Sequence, residues 1–258
     1  MMLFLLSHTS LGAAVEDHLV PRWPHDELPN YYALLQQKVM VTPADFGRFV
    51  VIPSPASLGE ESVAIWSAGS RFRVTYTKAS RNIWYATMWP KDPEYGLKHH
   101  GAVTVSRIDV DISAATAFAV RDAWAKMLRG TAPRRRGGTE QVILDGTDFE
   151  FFLRDRTYTM IGTATHGLTG KNTSELIRVG NLLIDYCRSD AVRQARIAQE
   201  IQNRASNLSS RVGALLPMGL TNHWSEPLAV LLSGFDSVRE FLMFASLALA
   251  TGRSVRSR

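Results

Sequence analysis

The sequence has one cysteine in 258 residues, which excludes an internal disulfide framework and any multi-cysteine zinc or iron–sulfur site. It has no apolar run of about 18 residues, so an ordinary membrane span is not expected. It has no internal repeat, no low-complexity segment, no Gly-rich phosphate loop, no RNP-like aromatic motif and no zinc-finger spacing. No metal or other cofactor is therefore expected. Net charge is small as well. Twenty-nine Lys and Arg against 24 Asp and Glu leave +5. At physiological salt the field of scattered charge fades within about 8 Å, so only clustered charge matters. What the chain does have is 45% hydrophobic residues and 21% charged ones, enough apolar surface to fold around a core. Its length fits one large domain or two small ones.

The chain divides into an irregular segment 1–45, an α+β core 46–188 and a helical region 189–258. Met1 to Leu6 is apolar, Gly12-Ala13-Ala14 is small, and Val15-Glu16-Asp17 turns polar. That is the outline of an export signal cleaved after Ala14, although no Lys or Arg precedes the apolar run. Both a cytoplasmic and an exported location stay open. Pro21, Pro24, Pro29 and Pro43 interrupt the next stretch, leaving a short helix at 31–39 and a strand at 46–52.

From residue 61 the pattern has a period of two, which predicts strands at 62–67, 71–77, 81–88 and 102–112. Phe72, Val74 and Tyr76 alternate with Arg71, Arg73, Thr75 and Thr77, as in a sheet with one wet face. Ser113 is placed to cap a helix that ends at Arg129 before Gly130, with Trp124 on its apolar stripe. Asp145-Gly146 predicts a tight hairpin between 141–144 and 147–153. In its second strand Phe149, Phe151 and Leu153 share one side, and Asp148, Glu150 and Arg154 the other. A further strand is expected at 156–164.

Asn172-Thr173-Ser174-Glu175 resembles a capping box for a helix bearing Leu176, Val179, Leu183 and Tyr186. A second helix runs from Asp190 to Val212, and two shorter ones are expected near 226–232 and 237–250. The fold class predicted is α+β: an antiparallel sheet built from two strand groups around a central helix, with a helical C-terminal third.

Four constellations can be read as chemistry. Asp109 and Asp111 lie two apart on a strand, so both project from one face and can share a proton or hold a cation. Arg107 on the same side offers the plainer reading of a paired, wet strand face. His166 precedes a Gly turn and can act as a general base, with Thr173 and Ser174 as hydroxyl partners. Cys187 beside Arg188 can be a thiolate or, more plainly, a buried thiol. His99-His100 are adjacent, a spacing that seldom aims two rings at one ion.

Two basic features suit an anionic polymer such as a nucleic acid. Arg134, Arg135 and Arg136 precede Gly137-Gly138 in a loop. Arg193, Arg196, Arg204 and Arg211 fall within about 80° on one helix. Glu200, spaced to pair with Arg196 and Arg204, favours a salt-bridged face instead. The apolar segment from Phe241 to Ala250 suits burial, in the core or between two copies in a homo-oligomer.

The middle of the chain resembles small exported bacterial proteins that carry no assigned activity. Three motifs carry the resemblance: Trp124-Ala125-Lys126-Met127-Leu128 ending a helix, Leu144-Asp145-Gly146-Thr147-Asp148-Phe149-Glu150-Phe151 on a hairpin, and the 176–186 helix. It covers about residues 46–188, implies export and transfers no functional residue. No convergent catalytic set is present, so the leading reading is a non-enzymatic binding or structural module. The alternatives are a hydrolase using His166 or the Asp109/Asp111 pair, and an anionic-polymer binder using the arginines.

Overall fold

A computed structural model of the chain describes residues 17–22, 29–54, 58–87, 102–133, 146–154, 158–167 and 169–215. In chain order the elements are α1 (Pro29–Lys38), β1 (Gly47–Ile52), β2 (Glu61–Ala68), β3 (Arg71–Ala79), α2 (Ile83–Thr87), β4 (Val105–Ile112) and α3 (Ala114–Arg129). They continue with β5 (Asp148–Arg154), β6 (Thr159–Thr165), α4 (Lys171–Cys187) and α5 (Ala191–Leu215). The fold is α+β. Its six strands form one antiparallel sheet in the order β4-β3-β2-β1-β5-β6.

The second strand group extends the first, because β5 pairs with β1. Reaching β5 from β4 means crossing four strand spacings of about 4.8 Å each. Helix α3 supplies the crossing: its 16 residues rise about 24 Å. Ser113 caps it by accepting from the Thr116 N–H at 3.1 Å, and the Gly130 N–H closes the last turn on the Lys126 carbonyl. Both ends are where local chemistry puts them.

One sheet face is packed by α3 and α4. Phe49, Val63, Ile65, Val74, Phe149 and Phe151 meet Ala117, Val120 and Trp124 of α3 and Leu176, Val179 and Leu183 of α4. Trp124 is fully buried and crosses edge-on to Phe151. It lies against Gly47, whose φ of +123° and lack of a Cβ are both required: a Cβ there would meet the indole at 2.1 Å. Gly180 serves the same end in α4, where a Cβ would strike the Phe49 ring at 2.5 Å. Helix α5 covers α3 and α4. Ile201, Ala205 and Leu208 enter the same core, Lys126 donates to Ser209, and Arg204 bonds Glu175.

The other sheet face departs from the wet face that the alternation predicts. Ser62, Thr75, Thr77 and Glu150 on it are all buried. Helices α1 and α2 form a second apolar cluster there, with Tyr31, Leu35, Val39 and Ile83 against Val50, Ala79 and Phe152. Segment 81–88, predicted as a strand, is helical over Ile83–Thr87. Asn82 explains this: its Oδ1 accepts from the Tyr85 N–H, turning the chain into a helical start.

The strand predicted at 102–112 begins at Val105, and that predicted at 156–164 begins at Thr159. Both sides of β5 are taken, by β1 and β6, and the 141–144 half of the expected hairpin lies outside the described residues. The capping box also differs. Helix α4 starts two residues earlier, with Gly170 and not Asn172 at its N-cap position, and its first-turn Asn172 and Thr173 N–H groups are bonded by the Asp17 carboxylate. Next to this cap Leu19 is fully buried, and Val20 bonds Thr163 on the outer edge of β6.

Candidate functional site

The sequence candidates are scattered. Asp109 and Asp111 share a face of β4, as their spacing requires, but each is paired. Arg107 bonds Asp109 at 3.0 and 3.1 Å, Thr75 donates to Asp109, and Arg73 lies 3.5 Å from Asp111. Burial favours the protonated form of Asp109, but the bonds from Arg107 and Thr75 outweigh it and hold the carboxyl below its ordinary range. His166 is exposed in the turn after β6, its backbone N–H bonded to the Thr147 carbonyl. The two sets lie on opposite edges of the sheet, five strand spacings or roughly 24 Å apart, and form no common site.

Thr173 is buried in the first turn of α4, and Ser174 exchanges a hydrogen bond with Thr169. Cys187 is buried, and burial pushes its thiol up to about 12, the behaviour of a structural thiol. Arg204 is held by Glu175 and Glu200 at 2.7 and 2.8 Å, and Arg211 donates to Asn172. Arg193 and Arg196 are placed near the start of α5, and both are exposed. The stripe is thus partly committed to internal bonds. Arg134, Arg135, Arg136, His99, His100 and the segment from Phe241 to Ala250 lie outside the described residues. Among the described residues no helix is long and apolar enough to cross a membrane, and no group of His, Cys, Asp and Glu side chains can hold a metal ion.

The structure builds a different site on the second sheet face. A cavity of about 340 Å³ opens between α1, α2 and strands β1, β5 and β6. Its size is that of a small-molecule pocket. Tyr31, Tyr32, Trp84 and Tyr85 give it aromatic walls, while Asp148, Glu150, Asn82, Thr163 and Thr165 supply polar groups.

These residues are brought together by a buried carboxylate that does not itself line the cavity. Glu60 is wholly buried; it accepts the Tyr31 hydroxyl at 3.0 Å and the Ile83 N–H at 3.0 and 2.8 Å. It thereby ties α1 to the start of α2 and sets Tyr31 edge-on to Trp84, with ring centres 5.8 Å apart. Burial raises the Glu60 carboxyl, although its bonds from Ile83 and Tyr31 oppose the shift. Asn82 anchors the other side by donating to the Pro53 carbonyl at 2.9 Å.

Glu150 is the polar centre of the pocket. It is only 2% exposed. Its Oε1 accepts the Tyr32 hydroxyl at 3.1 Å and lies 3.4 Å from Arg22, while its Oε2 is buried with no hydrogen-bond partner among the described residues. The Arg22 guanidinium stacks 3.5 Å above the Tyr32 ring. Burial drives the Glu150 carboxyl up, Arg22 and Tyr32 pull it down, Asp148 pushes it up again, and the result is a raised carboxyl. A desolvated carboxyl with a free oxygen, in a cleft and beside a second acid, can receive a cation or hold a proton. Comparison with protein-family models, curated proteins and solved structures finds no match to this chain.

Proposed function

We propose that the protein is a non-enzymatic binding module whose pocket receives a small organic cation, an ammonium or guanidinium group on a flat or apolar body. The observation that carries this reading is the buried Oε2 of Glu150, unpartnered among the described residues, beside a cavity with four aromatic side chains in its lining. A buried acceptor left without a partner costs about 1–3 kcal/mol, which a ligand N–H returns on binding. The charge balance agrees: among the described residues, Asp148 and Glu150 face one nearby guanidinium, Arg22, leaving one negative charge over. The stacking of Arg22 on Tyr32 beside Glu150 supports the same chemistry, since this corner already accommodates a guanidinium. Export by cleavage after Ala14 belongs to the proposal, and the N-terminal sequence of the native protein tests it.

The binding test is calorimetric titration of the full chain with phenethylammonium and butylguanidinium, against phenethyl alcohol and phenylacetate. The cations should bind and quench Trp84, and the neutral and anionic isosteres should not. Glu150→Gln should weaken the cations by about ten- to a hundredfold, the worth of one charge-assisted hydrogen bond. Binding should strengthen as pH rises through the raised Glu150 value, because the carboxylate is the form that pairs. Equal binding of all four probes, or indifference to Glu150→Gln, would sink the reading. So would hydrolytic turnover that disappears in that variant.

A further inference from the structure

The sheet has two edges, and they are treated differently. The β6 edge is partly covered, since Val20 exchanges both backbone bonds with Thr163. The β4 edge bears no strand partner among the described residues; the Tyr186 hydroxyl of α4 donates to the Asp111 carbonyl at one end, and Val105 and Ile108 are 39% and 37% exposed. An eight-residue edge strand with no neighbouring strand is a template for another strand.

Which groups point outward is set by the pairing with β3. The Ser80 N–H donates to the Thr104 carbonyl, and the same register continues through Lys78↔Ser106 and Tyr76↔Ile108. Even-numbered residues therefore turn their backbone groups inward to β3, and Val105, Arg107, Asp109 and Asp111 turn theirs outward. An antiparallel partner must bond to those odd-numbered residues.

We propose that β4 pairs with β4 of a second copy of this chain about a two-fold axis at Ile108, joining two sheets edge to edge. Charge selects the register. With the axis at Ile108, Arg107 stands opposite Asp109 of the second copy, and Asp109 opposite its Arg107. Moving the axis to Arg107 sets two arginines face to face, and moving it to Asp109 sets two aspartates face to face. An axis at Val110 puts Asp109 against Asp111. Like charges directly opposite are destabilising, and although the Asp109 axis also sets Arg107 against Asp111, only the Ile108 register sets unlike charges opposite each other with no like-charged pair. It joins the Arg107–Asp109 pair of each chain into a square of alternating charge and covers Ile108 with its own symmetry mate. Closed two-fold contacts of this kind are the commonest form of self-association.

The experiment is sedimentation equilibrium of the full chain from about 1 to about 200 μM. A monomer–dimer equilibrium is expected. Arg107→Asp and Asp109→Arg should each raise the dissociation constant about ten- to thirtyfold, since two attractive pairs become repulsive. An equimolar mixture of the two variants should recover dimer. In the mixed dimer the first variant carries two carboxylates, at positions 107 and 109, and these face the two guanidinium groups of the second at both places. That recovery requires both variants to be folded. Ile108→Cys should form a disulfide-linked dimer with copper–phenanthroline, whereas the parent chain, whose thiol is buried, should not. A monomer throughout, a dimer unmoved by either reversal, or a mixture no better than its parts overturns the proposal.

Discussion

Glu60 and Glu150 sit in the sequence like ordinary surface carboxylates, and both are buried. Glu60 organises the pocket walls through three hydrogen bonds. Removing it leaves the Tyr31 hydroxyl and the Ile83 N–H without their acceptor, so Glu60→Ala should cost about 2–4 kcal/mol in chemical denaturation. Glu60→Gln keeps an acceptor for Ile83 and offers a donor to Tyr31, and should stay within about 1 kcal/mol of the parent near neutral pH. Both acids have folded values raised above the ordinary 4.5. The folded state therefore holds their protons more tightly than the unfolded chain. Their contribution to stability is full below 4.5 and is lost as pH rises through the raised values. The Glu60→Gln/Glu150→Gln double variant should flatten that decline in a plot of Tm against pH. A decline of equal slope in the double variant would assign it to other groups.

Among the elements, α3 is the most legible in the sequence. Its Ser cap, apolar stripe and terminal Gly are all local signals, and each holds in the fold. Trp124 is buried against Gly47 and Phe151, and Trp124→Ala should cost about 3–5 kcal/mol by chemical denaturation. Helix α2 is not legible. Ile83, Tyr85 and Thr87 alternate like a strand, and the groups that turn them into a helix are Asn82 beside them and Glu60 more than twenty residues away. Helix α4 shows the same limit. Its apolar stripe can be read, but its cap comes from Asp17 and no local box contains it. Asp17→Ala should therefore lower stability by about 1 kcal/mol, whereas Ser174→Ala should fall within about 0.5 kcal/mol of the parent.

At the scale of the whole molecule, the α+β class is legible in the order of periodic segments, but the number of covered sheet faces is harder to see. A signal for it is present. In β1, Phe49 and Val51 point one way and Val50 and Ile52 the other, so that strand is apolar on both sides. Strands of that kind are covered on both faces. In β5, Phe152 shares the side of Asp148 and Glu150, which marks the acids as part of a covered surface. Reading those two strands together places the pocket on the second face. The partners of Glu150 cannot be read, because Arg22 and Tyr32 are more than a hundred residues distant in sequence.

Residues 17–20 act as a clasp on the finished fold: Asp17 closes the start of α4, Leu19 fills the space that Gly162 leaves beside Leu128, and Val20 hems the edge of β6. A chain begun after residue 20 would contain the residues of every strand and helix named above, yet would carry a leucine-sized void and a bare sheet margin. Anyone shortening this protein from its front, for crystallisation or for fusion, should cut before Asp17.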